Sequence, residues 1–497
     1  MKRIRQYLMY MMCIALCASC KKFLEVTPES SATTGNAYKT SKDMEAALTG
    51  VYNTLYQEYF IWDRVLLGDA RSDNAYSGGD DQEVNQYDAL KISSSNSRAT
   101  FDYRQLFNGV ARANLVIDKI RGVNDPQLTA ARKAQITGEA KFLRAYYYFE
   151  LLKLYGNIPL VTDFGSVDAS KVNVPAATAD KVYKQIIADL NDALVLPDDY
   201  GQGISVNKSR ATKGAVNSLL AQVYAQMPNP DYNEVVTYCN AVINSPAGYD
   251  LHPIYNQLFD GSHYINSEAI LEVQFIANTA QANWGPQLFL PPSLTGDDWR
   301  KYCTPSVDLV KAYDNEGDTE RKNTNILMAN AEWADEYWKP CASSGQIPFV
   351  FKWEHANAYA SGDYTYLIRL ADIILLKAEA QNELGNISGT DGAIALLNKI
   401  RGRAHLTGKA ISDKETVKTY ILNERRLELA FEGTRFNDLV RAGKFTTTMN
   451  ALKEYKLNCG NANREPVNYA ANNDKKLLPI PASELNRNNQ LKQNPGY

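Results

Sequence analysis

Three groups of residues in this 497-residue chain have types and spacings that could do chemistry. The first is a run of charge inside an apolar helix. Between Tyr420 and Phe445 the sequence YILNERRLELAFEGTRFNDLVRAGKF places Glu424, Arg425, Arg426, Glu428, Glu432 and Arg435 among Ile421, Leu422, Leu427, Leu429, Ala430 and Phe431. The apolar residues cover most of a helix surface, so the charges are drawn inward with them. Charged side chains are seldom fully buried unless paired. Arg425 to Glu428 and Glu432 to Arg435 have the i,i+3 spacing that lets side chains meet on one helix face. The stretch therefore reads either as an ion-paired packing helix or as the seat of a catalytic acid or base among Glu424, Glu428 and Glu432. Structural ion-pair networks also perturb carboxylates, so the packing helix is the expectation. Gly433 ends the helix, and Phe436, Leu439 and Val440 begin another apolar face.

The second group suits a sugar. A pyranose ring offers an apolar C–H face for stacking and hydroxyls for polar side chains. The stretch GDARSDNAYSGGDDQEVNQYD (68–88) has no helical period and reads as a loop. It supplies the polar kind of contact through Asp69, Arg71, Asp73, Asn74 and Tyr76, since loops often carry binding residues. Its acids lack the spacing of a calcium-binding loop. The aromatic kind comes from Trp284, Trp299 and Tyr302. Five of the six tryptophans (Trp284, Trp299, Trp333, Trp338 and Trp353) fall within 250–365, a region of Gly, Pro, Asn and aromatics without helical period. Such rings either pack loops onto helices or form a binding surface.

The third group is at the N-terminus. Lys2, Arg3 and Arg5 precede a short apolar run, Tyr7 to Leu16, which reads as an export signal. The run is too short to span a bilayer. Cys17-Ala18-Ser19-Cys20 then resembles a bacterial lipobox with Cys20 as the lipidated residue, although Cys17 stands where a Leu is usual. An ordinary signal peptide cleaved near Ser19 is the other reading.

Much other chemistry lacks its pattern. There is no G-x-S-x-G, Walker A, H-E-x-x-H or dinucleotide G-x-G-x-x-G. His252, His263, His355 and His405 have no metal spacing, and Cys239, Cys303, Cys341 and Cys459 are far apart, so neither a metal site nor a cofactor is expected. A glycosidase needs two carboxylates about 5–10 Å apart, and among 56 acids some pair always looks eligible. A net charge of −3 gives no reason to expect nucleic acid. The 31 tyrosines against 15 phenylalanines favour half-wet surfaces.

The positioning elements are helices. Thr40 or Ser41 caps one carrying Met44, Ala47, Leu48, Val51 and Leu55 on a face. Others follow from Phe101, over Pro126 to Tyr155, Thr178 to Leu196, Arg210 to Gln226 and Asp231 to Asn244. Further helices cover 371–384 and 391–404. Leu220, Ala221 and Tyr224 match part of a tetratricopeptide repeat. The division is a signal peptide over 1–19, a helical region over 20–245 and a second region over 246–497 that holds the irregular insert 250–365.

Four stretches resemble the SusD/RagB family of surface nutrient-binding lipoproteins of Bacteroidota. They are NERRLELAFEGTRFNDLVRAGK, IRLADIILLKAEAQNELG (368–385), LNKIRGRAHL (397–406) and LLPIPASELNRNNQLKQNPGY (477–497). The resemblance implies a mostly α-helical fold of tetratricopeptide-like pairs with a loop-rich ligand region. It implies a non-enzymatic, lipid-anchored protein on the outer face of the outer membrane, which binds a glycan and hands it to a SusC-type TonB-dependent transporter. RagB-like members leave a peptide or another nutrient open as ligand, and a glycosidase stands as the remaining alternative.

Overall fold

The computed structural model describes residues 37–79, 81–163, 173–297, 302–333, 335, 337, 338, 345–457 and 464–497. Cys20 and Trp299, two of the expected site residues, lie outside them, as do Cys341 and Cys459.

The architecture is mostly α-helical. Helix α1 (Ser41–Tyr52) begins at a reciprocal cap, in which Asp43 N–H donates to Thr40 Oγ1 and Thr40 N–H donates to the Asp43 carboxylate. Its Met44, Leu48 and Val51 face the core. Asn96 caps α2 (Ser97–Lys119) and Thr129 caps α3 (Ala130–Tyr155). In α3 every residue from Phe142 to Leu152 is buried, which makes it central. Gly156, at φ 69°, ends it in a backbone conformation that costs glycine little. Helices α4 (Ala179–Ala193), α5 (Lys213–Gln226), α6 (Tyr232–Ile243), α7 (Leu370–Glu383) and α8 (Ala393–Arg403) follow. Each packs on the one before it, from α2 through to α8. In the α5–α6 pair the rings of Tyr224 and Tyr238 stack at 5.7 Å. This succession of packed neighbours is consistent with the helical-pair arrangement expected from the sequence.

Two stretches depart from expectation. The stretch 68–88, expected as a loop, begins inside the second of two π-helical turns, Tyr59–Asp63 and Leu66–Ala70, and ends in a short helix, Gln82–Asp88. A wider turn spoils the 3.6-residue period that marks an ordinary helix, so the pattern was invisible. Within 250–365, helices Val307–Glu316 and Thr319–Asn325 and two antiparallel strand pairs accompany the irregular backbone. The pairs are Ala269–Val273 with Thr365–Arg369 and Ile326–Ala331 with Gly345–Val350.

The charged stretch forms α9 (Lys414–Glu428), a turn, and α10 (Arg435–Arg441). The i,i+3 pairs are not made. Glu428, fully buried, instead takes Arg321 Nη1 at 2.9 Å, Arg369 Nη1 at 2.6 Å and a guanidinium nitrogen of Arg403. Arg369 also donates to Glu268 at 2.7 Å and to both oxygens of Glu432, at 2.7 and 2.8 Å. Lys352 Nζ reaches Glu432 at 2.7 Å. Arg425 pairs with Asp372 and Asp438, and Arg435 chelates Asp73 with two contacts of 2.7 Å. An intrahelical pair satisfies one donor and one acceptor, whereas a buried carboxylate or guanidinium has several to satisfy. Partners must therefore come from other elements. Burial opposes ionisation of Glu428, but Arg403, Arg369 and Arg321 overcome it and hold the carboxyl well below its usual range.

A second buried pair is uncompensated. Asp63, ending the first π-turn, and Asp102 of α2 are both buried and hydrogen-bond to each other, and among the described residues no donor from outside the pair reaches their carboxyl oxygens. Burial pushes both up, Asp102 to about 8 and Asp63 further under the added charge of Asp102. The nearby Glu58 reinforces the shift and Arg98 opposes it. The pair thus keeps a proton at neutral pH.

Two outcomes are expected. Glu428→Ala leaves three guanidinium groups facing an unfilled buried site and lowers stability by about 3–5 kcal/mol, read by urea denaturation. Normal stability in that variant contradicts the network's role. For the Asp pair, the folded values lie above the unfolded ones. Its stabilisation is complete below about pH 4 and is lost as pH rises towards about 8. Asp63→Asn donates an amide hydrogen to Asp102 without needing the shared proton. The variant should therefore gain stability relative to the wild type as pH is raised through that window. Parallel curves contradict the assignment.

Candidate functional site

The polar stretch 69–76 faces inward. Asp69, Arg71, Asp73, Asn74 and Tyr76 are all buried. Asp69 accepts the backbone N–H groups of Phe431 at 3.0 Å and Gly433 at 2.9 Å, and the Asn74 amide at 2.7 Å. Burial nonetheless pushes its carboxyl up to about 6. The two N–H bonds hold the turn after α9, where Phe431 and Gly433 both have positive φ. A Cβ on Gly68 would stand 2.3 Å from the backbone of Gly433, so the second π-turn and this turn meet backbone to backbone. Asp73 binds Arg435, and Asn74 accepts from Arg426 at 2.9 Å. Arg71 lies 3.9 Å over the Phe436 ring and donates to Lys475 O, and burial lowers it to about 10. Tyr76 donates to Asp335 at 2.7 Å. As placed, these side chains hold segments together rather than meet a surface ligand. A polar, helix-poor stretch reads as solvated when its partners lie hundreds of residues away.

The aromatic candidates divide. Tyr302 is buried 5.6 Å from Trp62. Trp284 is half-buried, edge-on to Trp62 at 6.1 Å, and belongs to the main core. Trp353 is buried against Phe289, Trp333 packs on Phe349, and Trp338 Nε1 donates to Pro305 O at 3.1 Å. The described tryptophans of 250–365 thus pin irregular backbone to its supports.

The open feature of this region is a groove of about 540 Å³ between the turn at Gly261 and Ser262, Ala277, Leu294 and the segment 354–363. Its walls are built by local hydrogen bonding. Asp260 accepts the N–H groups of Ser262 at 2.9 Å and His263 at 3.1 Å, and contacts His263 Nδ1 at 2.6 Å. Asp363 accepts the His355 N–H at 2.9 Å and contacts His355 Nδ1 at 3.0 Å. Asn283 and Ser361 exchange backbone bonds of 2.8 and 3.1 Å, which ties this segment to the stretch carrying Ala277. Gly261 is required at the closest approach: its φ is 73°, and a Cβ would lie 2.9 Å from the His355 ring.

Asn357, which lines the groove, and the next two residues, Ala358 and Tyr359, have φ of 47°, 50° and 68°. Such backbone is costly and persists only where its surroundings hold it, as at many ligand sites. Here Asn357 Nδ2 donates to Ala360 O at 2.9 Å, and the Tyr359 hydroxyl donates to Asp297 at 2.8 Å. The ring of Tyr359 is left 40% exposed. Tyr364, following Asp363, stacks on Tyr264 at 4.5 Å with planes 11° apart. The groove itself is lined by an imidazole (His355), an amide (Asn357) and two carboxylates (Glu354 and Asp363), and Tyr359 follows two residues after Asn357. That set suits a hydroxyl-rich ligand with an apolar ring face. Among the described residues no group of three or more metal-ligating side chains assembles. The segment 354–363 escaped the sequence reading because one tyrosine and one histidine among small residues stand out less than tryptophan.

Two family models match the chain. One described as the SusD family covers residues 345–497, and one described as starch-binding associating with outer membrane covers 22–225. A SusD-like protein P2 of Formosa agariphila is 27% identical, over 95% of this chain and 96% of its own length. The starch-binding protein SusD of Bacteroides thetaiotaomicron is 23% identical, over 84% of this chain and 82% of its own. Among solved structures, a laminarin-binding SusD-like protein superposes with a TM-score of 0.74 at 27% identity, covering 93% of this chain and all of that one. A SusD superfamily protein of Bacteroides vulgatus gives 0.78 at 23% identity, over 93% of this chain.

The packing of Trp284 sets an expectation. Trp284→Ala removes half of an aromatic contact with Trp62 and should lower the melting temperature measurably, since large-to-small changes in packed sites cost about 3–5 kcal/mol when fully buried and less when half-buried. An unchanged melting temperature places this ring on a surface instead.

Proposed function

This chain belongs to the SusD/RagB family, and from that premise we propose that it binds a glycan in the groove walled by residues 354–363 and passes it to a partner transporter. The observation that carries the reading is the strained turn at Asn357 to Tyr359, in which Asn357 lines the open cleft and Tyr359, two residues on, is left 40% exposed. Holding a sugar requires only hydrogen bonds, which Glu354 and Asn357 on the lining can supply, and a ring to stack on, the role assigned here to Tyr359. Catalysis is not needed. Asp363, the more constrained groove carboxylate, is already committed to His355. The charged helix α9, where an acid or base could have been sought, spends its carboxylates on guanidinium groups.

No helix among the described residues is long and apolar enough to cross a membrane. We read the attachment as a lipid on Cys20 at the outer membrane, with the folded chain facing the exterior. A protein tethered to one leaflet cannot move a captured ligand inward, and the sequence has no nucleotide-binding P-loop to power transport. A SusC-type TonB-dependent barrel is therefore the partner. Covering a barrel mouth calls for a broad contact, and permanent interfaces commonly bury more than about 2,000 Å².

Two measurements check the reading. Titration calorimetry against oligosaccharides should show binding that Tyr359→Ala weakens by about 1–3 kcal/mol with the melting temperature retained. Unaltered affinity removes Tyr359 from the site, and unaltered affinity in Asn357→Ala as well removes the groove. Affinity purification from native outer membranes in mild detergent should bring down a barrel subunit. Recovery of the chain alone at full yield contradicts the partnership.

A further inference from the structure

The groove also has a charge, and the charge selects among ligands. Of residues 250–297, Gly261, Ser262, Ala277 and Leu294 line the groove, and none of them is charged. The opposite wall adds Glu354 and Asp363. The lysine or arginine nearest to Glu354 in sequence, Lys352, is fully buried and turned to Glu432 at 2.7 Å. Among the described residues, then, no lysine or arginine lines the groove, while Glu354 and Asp363 line it and Asp260 adjoins it at Gly261.

These carboxylates are not equivalent. Asp260 is occupied by its own turn and Asp363 by His355. Glu354 makes no hydrogen bond or ion pair within the chain among the described residues and is half-buried at the groove wall. It is the carboxylate open to a ligand. Burial raises it, His355 opposes, and the charges of Asp260 and Asp363 add to the rise, so the three acids feel one another across a small space. Hydroxyl groups can donate to Glu354. A uronate or sulfate ester brings a like charge into the same space and finds no lysine or arginine on these walls to receive it.

We infer that the groove, taken as the glycan site proposed above, accepts uncharged oligosaccharides and rejects those bearing uronic acid or sulfate, with Glu354 as the main discriminating residue. The test is an array of neutral, uronate-bearing and sulfated oligosaccharides probed with the full folded chain at about 20 mM and about 200 mM salt, where screening lengths differ severalfold. Neutral glycans should be retained, with acidic ones at least tenfold weaker at low salt and the gap narrower at high salt. Glu354→Gln should narrow the gap at low salt, and Glu354→Lys should close or reverse it, both with unchanged melting temperature. Acidic glycans bound as tightly as neutral ones by the wild type overturn the inference while leaving glycan binding intact, as does a gap that neither Glu354 variant alters. Retention of no glycan of any class overturns the glycan reading, and the inference falls with it.

Discussion

A carboxylate that stays ionised away from water needs strong donors on every side, and Glu428 takes its donors from three cations. Its three guanidinium partners come from a short helix (Arg321), the end of a strand (Arg369) and the end of α8 (Arg403). Arg369 and Arg403 then share Glu268, at the head of the strand Ala269–Val273. One buried charge therefore fixes the relative positions of four segments that are distant in sequence. The energetics are asymmetric: such a network adds little over a well-packed apolar core, but removal of one member leaves the others unpaired at large cost. That asymmetry ties the segments to one arrangement.

The groove depends on this arrangement without sharing its chemistry. The strand ending in Arg369 begins at Thr365, two residues after Asp363 in the groove wall, and it pairs with Ala269–Val273, which leads to Ala277 on the other side. The charged network anchors one end of both strands, and the irregular backbone beyond their other ends carries the exposed groups. Function placed on loops held by a rigid scaffold is a common division of labour. The strained residues 357–359 fit it, since strain persists only where the surroundings over-determine the backbone.

The helical elements were legible from capping residues and period. Thr40, Thr178, Thr212 and Asp231 stand at helix starts, and Gly156 stands at a helix end. The packing role of α9 was legible too, because charge among so many apolar residues demands pairing. Its partners were not, since Arg321, Asp372 and Asp73 lie at sequence separations that no local spacing encodes. For the same reason Asp69 to Tyr76 read as a solvated loop: the acceptors and donors that satisfy it belong to the turn after α9, some 360 residues on. The described tryptophans of 250–365 pin irregular backbone, and the residue left exposed there is Tyr359, whose placement rests on a backbone conformation that its sequence does not announce.

The central claim is that binding happens on the loop-built groove while the charged network stays a fixed support. Hydrogen–deuterium exchange, with and without the oligosaccharide that binds tightest in calorimetry, tests this directly. The account predicts added protection over residues 260–263 and 354–363, with α9, α10 and residues 66–76 unchanged. Protection confined to residues 66–76 or to α9, with the groove unaltered, would contradict it.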